Sequence, residues 1–390
     1  MSAGSVRALP QQDPLYLPPE WTATPPAPDR DVALDLLRGL AMAILVVNHT
    51  ALESPLRDAT GALLSAAEVL VMVSGVVAGM VFGRRWLRHG GRATSLMLLR
   101  RARKLYVASV AVVALVGAAT LVPWLASDAL TVSPNVVPAV DAYAYDGTLR
   151  TLLAIVTLEA GPWQFTIMGF FVAVLALAPA VLWALDRGWW LPVVVASCAV
   201  YLLGRAWAVD VLPAQSERPF PLMVWQLLFV GGLVLGWHRD RVAAWVSGRR
   251  RAVVATVAAL AVVLAAARLS GPSIWGGDAW AGFEAAHLDK GTLDVLRIGL
   301  MVALTAALYL ALRRCAERAE RLLGPVLLPL GRNSFYVFIM HVFVCLALAS
   351  AVVALGGALS PAANAALQLG CLALLLVLVR RRVLFRWVPR

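Results

Sequence analysis

Charge is scarce in this chain. Asp, Glu, Lys and Arg make up 14 % of its 390 residues, hydrophobic residues make up 61 %, and mean hydropathy is +0.79. Soluble domains carry roughly 25 % charged residues, so the scarcity excludes a water-soluble globule and leaves the bilayer as solvent for most of the chain. Cysteine is rare too. Cys198, Cys315, Cys345 and Cys371 lack zinc-ligand spacing, and none falls in a segment expected outside, so neither a metal site nor a disulfide framework is expected. Residues 1–30 lack an apolar run. Their clusters Leu17-Pro18-Pro19 and Pro25-Pro26-Ala27-Pro28 predict a disordered cytoplasmic tail and no cleavable signal peptide. Long polar stretches are also missing after residue 30. Residues 31–390 are therefore expected to form one transmembrane domain, with its chemistry inside the bundle or at its edges.

What the chain does have is apolar runs about 20 residues long, enough to span as helices. They lie near 33–52, 62–83, 105–124, 164–185, 189–208, 219–237, 251–269, 295–313, 334–356 and 363–380. The predicted fold is an all-α polytopic bundle of about ten transmembrane helices. With both termini cytoplasmic, 25 Lys and Arg fall in cytoplasmic segments and 7 in outer loops, as the positive-inside rule requires. The net charge of +12 thus sets topology, and nucleic-acid binding is not expected. A multi-pass protein of the inner (cytoplasmic) membrane is the expectation, with membrane lipids as its surroundings.

Ionisable residues inside spans are costly and tend to face the bundle interior, where they mark function. The first span holds Asp35, Arg38 and, eleven positions beyond Arg38, His49. That interval is close to three helical turns, so Arg38 and His49 share a face about 16 Å apart, and Asp35 can pair with Arg38 one turn away. The plainer reading is an arginine at a helix end and a histidine bonded to a neighbouring helix. In the second span Glu68, Met72, Gly75, Gly79 and Gly83 line one face, and the small residues invite close approach of another helix. The hairpin predicts Glu68 at the depth of His49, able to orient the imidazole. Alternatively Glu68 forms an ion pair with Arg57 or another outer-side arginine.

The sixth span carries Trp225-Gln226, a buried polar handle. The ninth opens at Gly331-Arg332-Asn333-Ser334, where Asn333 or Ser334 can cap the helix, and continues to His341, a candidate substrate contact or a packing histidine. The interval 84–104 is the most basic stretch, with Arg84, Arg85, Arg100, Arg101, Arg103 and Lys104 among its cations. These suit phosphate oxygens, although a topological role alone accounts for them equally well.

Several blocks together resemble the OpgC family of glucan succinyltransferases, within the acyltransferase-3 group of integral membrane acyltransferases. They are Asp35-Leu36-Leu37-Arg38-Gly39 with Asn48-His49, Ala67-Glu68-Val69 leading to Ser74-Gly75-Val76-Val77-Ala78-Gly79, Trp225 to Gly231, and Leu330 to Ser334 with His341. The resemblance runs from about residue 31 to residue 380. Arg38 and His49, with ten residues between them, are similar to the group's first-span signature, and Leu98 to Lys104 resembles its basic loop. The resemblance implies acyl transfer from cytoplasmic acyl-CoA to a hydroxyl of an envelope carbohydrate or glycolipid. Succinyl is the group it names, so succinyl-CoA would be the donor substrate, with no tightly bound cofactor.

These readings combine into an expected site between spans one, two, six and nine. His49 is the base, Glu68 its orienting partner, and Arg38 holds the thioester end or a pyrophosphate oxygen. The six basic residues take the CoA phosphates. Asp35, Trp225, Gln226, Ser334 and His341 line the substrate. The rival class is a transporter or flippase for a lipid-linked sugar, which would use the same buried ions for coupling.

Overall fold

A computed structural model describes residues 31–61, 66–133, 141–207, 220–357 and 359–388. The tail expected to be disordered, residues 1–30, lies outside them. Among the described residues the fold is helical throughout, as the apolar runs predict. The helices are α1 (Val32–His49), α2 (Pro55–Gly61), α3 (Ala66–His89), α4 (Gly91–Ala119), α5 (Asp128–Thr131), α6 (Thr148–Val156), α7 (Ile167–Asp186) and α8 (Trp190–Trp207). There follow α9 (Leu222–Trp237), α10 (Arg239–Gly248), α11 (Arg250–Trp275), α12 (Gly277–His287), α13 (Val295–Arg314), α14 (Ala316–Arg332), α15 (Ser334–Ala354) and α16 (Pro361–Arg380).

Among the described residues nine helices are long and apolar enough to cross a membrane, or ten if α9 and α10, bent by 76° where they meet, count as one span. This is a multi-pass membrane protein. Several intervals expected as loops are helical instead. Residues 84–104 divide between α3 and α4, broken only at Gly90, whose φ of 81° sits in the left-handed region. The reason is composition: Arg, Leu, Met and Ala are strong helix formers, and charge does not stop a helix as glycine does. Residues 239–248 form α10. Residues 316–332 form α14, an amphipathic helix with Leu327, Leu328 and Leu330 buried. Pro329 withholds the amide that would have bonded the Pro325 carbonyl four residues back, and Arg380 Nη2 of α16 donates to that carbonyl instead, at 2.7 Å.

Glycines decide which helices touch. A Cβ on Gly75 or Gly79 of α3 would overlap the Phe229 or Leu233 carbonyl of α9, and one on Gly232 or Gly236 of α9 would meet the Met72 or Val76 carbonyl of α3. The small-residue face of the second span therefore docks backbone-to-backbone on the sixth span. The same device joins α1 to α14: Gly39 abuts the Leu327 carbonyl and Gly331 the Asp35 carbonyl. α1 begins where the Asp31 carboxylate accepts the amides of Ala33 at 3.1 Å and Leu34 at 3.3 Å, satisfying two of its unpaired donors.

Candidate active site

Two side-chain rungs tie α1 to α15. Arg38 Nη2 donates to Ser334 Oγ at 2.5 Å, and His49 Nδ1 lies 2.9 Å from His341 Nε2. The partners occur in the same order along both helices, so α1 and α15 run parallel. The intervals, eleven residues on α1 and seven on α15, differ by about 6 Å of helical rise, a gap the long arginine side chain spans. Because Ser334 accepts from Arg38, and Asn333 Nδ2 donates back to the Pro329 carbonyl at 2.9 Å, neither caps α15 through its side chain, contrary to expectation.

The contacts of His341 dictate the protonation of the pair. Its Nδ1 faces the Phe338 carbonyl, an acceptor only, so Nδ1 carries the hydrogen. Nε2 of the neutral ring is then a lone-pair acceptor, and His49 must donate from Nδ1. The remaining nitrogen of His49, Nε2, is left with its lone pair, and it makes no hydrogen bond among the described residues. His341 is fully buried, whereas His49 is only partly so and sits at the last residue of α1. A basic nitrogen is thus held in one tautomer and open to an incoming group.

The surroundings fix this ring. Trp163 meets it edge-on, with centroids 5.3 Å apart at 67°. Just beyond His49, Ala51 adopts φ 56°, a strained backbone for a residue with a Cβ. Buried Gln368 of α16 pins that turn: Nε2 donates to the Leu52 carbonyl at 2.9 Å and to Thr50 Oγ1 at 3.1 Å, and Oε1 accepts from Ser54. The end of α1 is therefore clamped by α16.

Glu68 does not orient His49. Its carboxylate, fully buried, lies 2.5 Å from Arg297 of α13, and Arg297 also donates to the Leu288 carbonyl. The alternative of an ion pair with an arginine is the one realised, with Arg297 in place of Arg57. The imidazole's polar partner is His341. Lys290, between α12 and α13, lies within electrostatic range of both His49 and Glu68.

A family model described as OpgC protein matches residues 30–387. The chain belongs to the OpgC family. Membership makes it a membrane-associated, glucan-modifying acyltransferase. No curated protein and no solved structure matches the chain.

Within this OpgC chain the other expected residues are distributed as follows. Asp35 pairs with Arg332 at 3.3 Å, beneath the Arg38 rung. Gln226 is occupied by α8: it accepts from Ser197 Oγ at 2.7 Å and donates to the Ser197 carbonyl at 2.8 Å. Trp225 is buried between Phe170 and Phe220, and its Nε1 donates to the Lys290 carbonyl at 3.1 Å. Arg84 and Arg85 end α3 half-buried, and Arg100, Arg101, Arg103 and Lys104 are exposed on α4. Glu68 starts α3 near Lys290, within whose electrostatic range His49 also lies, so Arg84 and Arg85 occupy the opposite, Arg38 end, roughly 24 Å away along α3. Sequence reasoning missed Trp163, Gln368, Lys290 and Arg297. The last of these had a signal, an arginine two residues into an apolar run; the others sit in ordinary polar or aromatic positions.

Proposed function

We propose that this protein transfers an acyl group from acyl-CoA to a hydroxyl of an envelope glycan or glycolipid, with His49 Nε2 as general base. Succinyl is the acyl group favoured by the family resemblance. The single observation that carries the reading is the hydrogen-bonded series Phe338 carbonyl, His341, His49, which leaves His49 Nε2 unprotonated and accessible. The acceptor hydroxyl gives its proton to Nε2 as its oxygen attacks the thioester carbonyl. The tetrahedral intermediate collapses with cleavage of the C–S bond, and the proton passes from His49 to the departing sulfur, so that an ester and free CoA result.

The Arg38 end of the bundle faces the cytoplasm of an inner membrane, with both termini inside. Arg84, Arg85, Arg100, Arg101, Arg103 and Lys104 then receive the CoA phosphates. The separation between that cluster and His49 calls for a donor with a long arm, which the pantetheine of CoA provides. Arg38, at the same end as that cluster, takes a pyrophosphate oxygen, with Ser334 fixing its guanidinium. The test is acyl-CoA-dependent product formation in proteoliposomes by His49→Gln, which keeps hydrogen bonding and much of the volume but lacks the base. A rate loss of about 10²–10⁴-fold with unchanged melting is expected; full activity would overturn the assignment.

A further inference from the structure

Lys290 has an environment that the proposed chemistry has not used. It lies on the short segment between α12 and α13 and is half-buried. Its backbone is held by the Trp225 indole, and its ammonium sits 4.5 Å from the centroid of the Phe220 ring. The aromatic face attracts the cation but supplies no counter-charge. The neighbouring carboxylate, Glu68, is taken by Arg297 at 2.5 Å. Among the described residues the ammonium makes neither a hydrogen bond nor an ion pair. Burial pulls its pKa below the ordinary lysine range, Glu68 works against that, and Arg297 reinforces it. A partly desolvated cation without an anion is costly unless a ligand completes the pair. His49, the proposed base, also lies within its electrostatic range.

We propose that Lys290 recognises a negatively charged group, carboxylate or phosphate, on the substrate bound at His49. The inference rests on the reading of His49 as the reacting centre. It specifies the substrate class further: one of the two reactants carries an anion a few bonds from the reacting carbonyl or hydroxyl. The charge belongs either to an acyl group ending in a carboxylate or to an acidic substituent of the glycan. Lys290 is then a specificity residue that acts on binding, while His49 acts on the chemical step.

The test compares the full-length His49→Gln protein with His49→Gln/Lys290→Met, so that binding is measured without turnover. The probes are succinyl-CoA against acetyl-CoA, and a phosphate-substituted glucan oligosaccharide against its neutral counterpart. Loss of one charge-assisted hydrogen bond is expected to weaken the anionic probe about ten- to hundredfold relative to the neutral one. Lys290→Arg should restore part of that preference. A selective loss in the donor pair places the anion on the acyl group, and one in the acceptor pair places it on the glycan. Equal weakening of charged and neutral probes, or no change in either pair, overturns the proposal. Turnover by His49→Gln would instead refute the base assignment, a separate outcome read from product formation rather than from this ratio.

Discussion

The imidazoles of His49 and His341 meet Nδ1 to Nε2 at 2.9 Å, across 292 residues of chain. His341 is the deeper of the two, anchored to its own helix through the Phe338 carbonyl. In the proposed reaction it is a positioning residue that selects the tautomer of His49.

That relationship predicts an asymmetry between two replacements. His341→Phe keeps a ring of similar size but cannot accept from His49 Nδ1, so the imidazole is free to adopt the tautomer with a protonated Nε2. Turnover should fall about 10²-fold, the lower range for loss of a correctly placed base, with the KM for acyl-CoA little changed. His341→Gln offers a carbonyl oxygen as acceptor and should recover part of the rate. Steady-state kinetics in proteoliposomes check both, and equal activity in Phe and Gln variants would assign His341 to packing alone.

The ion pair between Glu68 and Arg297 predicts a stability effect. Glu68→Gln leaves a mostly buried guanidinium facing a neutral amide, at a cost of about 3–5 kcal/mol. Melting in detergent should fall accordingly. Removing both charges, as in Glu68→Leu with Arg297→Leu, should recover much of the loss, because neither charge then stays buried alone.

Backbone contact at glycines predicts where a single methyl group is tolerated. Gly331→Ala drives a Cβ into the Asp35 carbonyl, and Gly75→Ala drives one into that of Phe229. Overpacking of about 1–3 kcal/mol is expected for each. Gly231 lies on the same helix as Gly232, yet nothing stands within 4 Å of a Cβ built there. Gly231→Ala should therefore be neutral or stabilising by up to about 1 kcal/mol, the helix-propensity difference. Thermal melting of the three variants provides the comparison.

For the basic helix surface, replacing Arg100, Arg101 and Arg103 together with Gln should raise the KM for acyl-CoA more than that for the acceptor. A phosphate contact made equally in the ground and transition states acts on binding rather than on turnover. The initial rate as a function of each substrate measures it. Altered membrane insertion with unchanged KM values would instead give these arginines a purely topological role.

Much of the architecture is local and so readable in one dimension. Apolar runs of helical length announce the spans, because a bilayer demands satisfied backbone over about 30 Å. The interval between Arg38 and His49 places both on one face of α1, because helical periodicity is a property of the segment itself. The small residues at 75 and 79 announce a face open to close approach. The partner of each face was a different matter. The sequence offers Glu68 as the neighbour of His49, and His341 only as a substrate contact or a packing histidine. The tertiary structure gives Glu68 to Arg297 and His341 to His49, because α3 is drawn against α9 by its glycines while α15 lies parallel to α1. α14 escaped notice because its apolar residues are interrupted by charge and proline, and Lys290 because a lone lysine in a polar connection has no pattern. The sequence by itself determined the membrane habit, the spans and the polar face of α1. Only the tertiary structure decided the partner of the base and the placing of a cation near it, because those depend on which helices and connections meet across hundreds of residues.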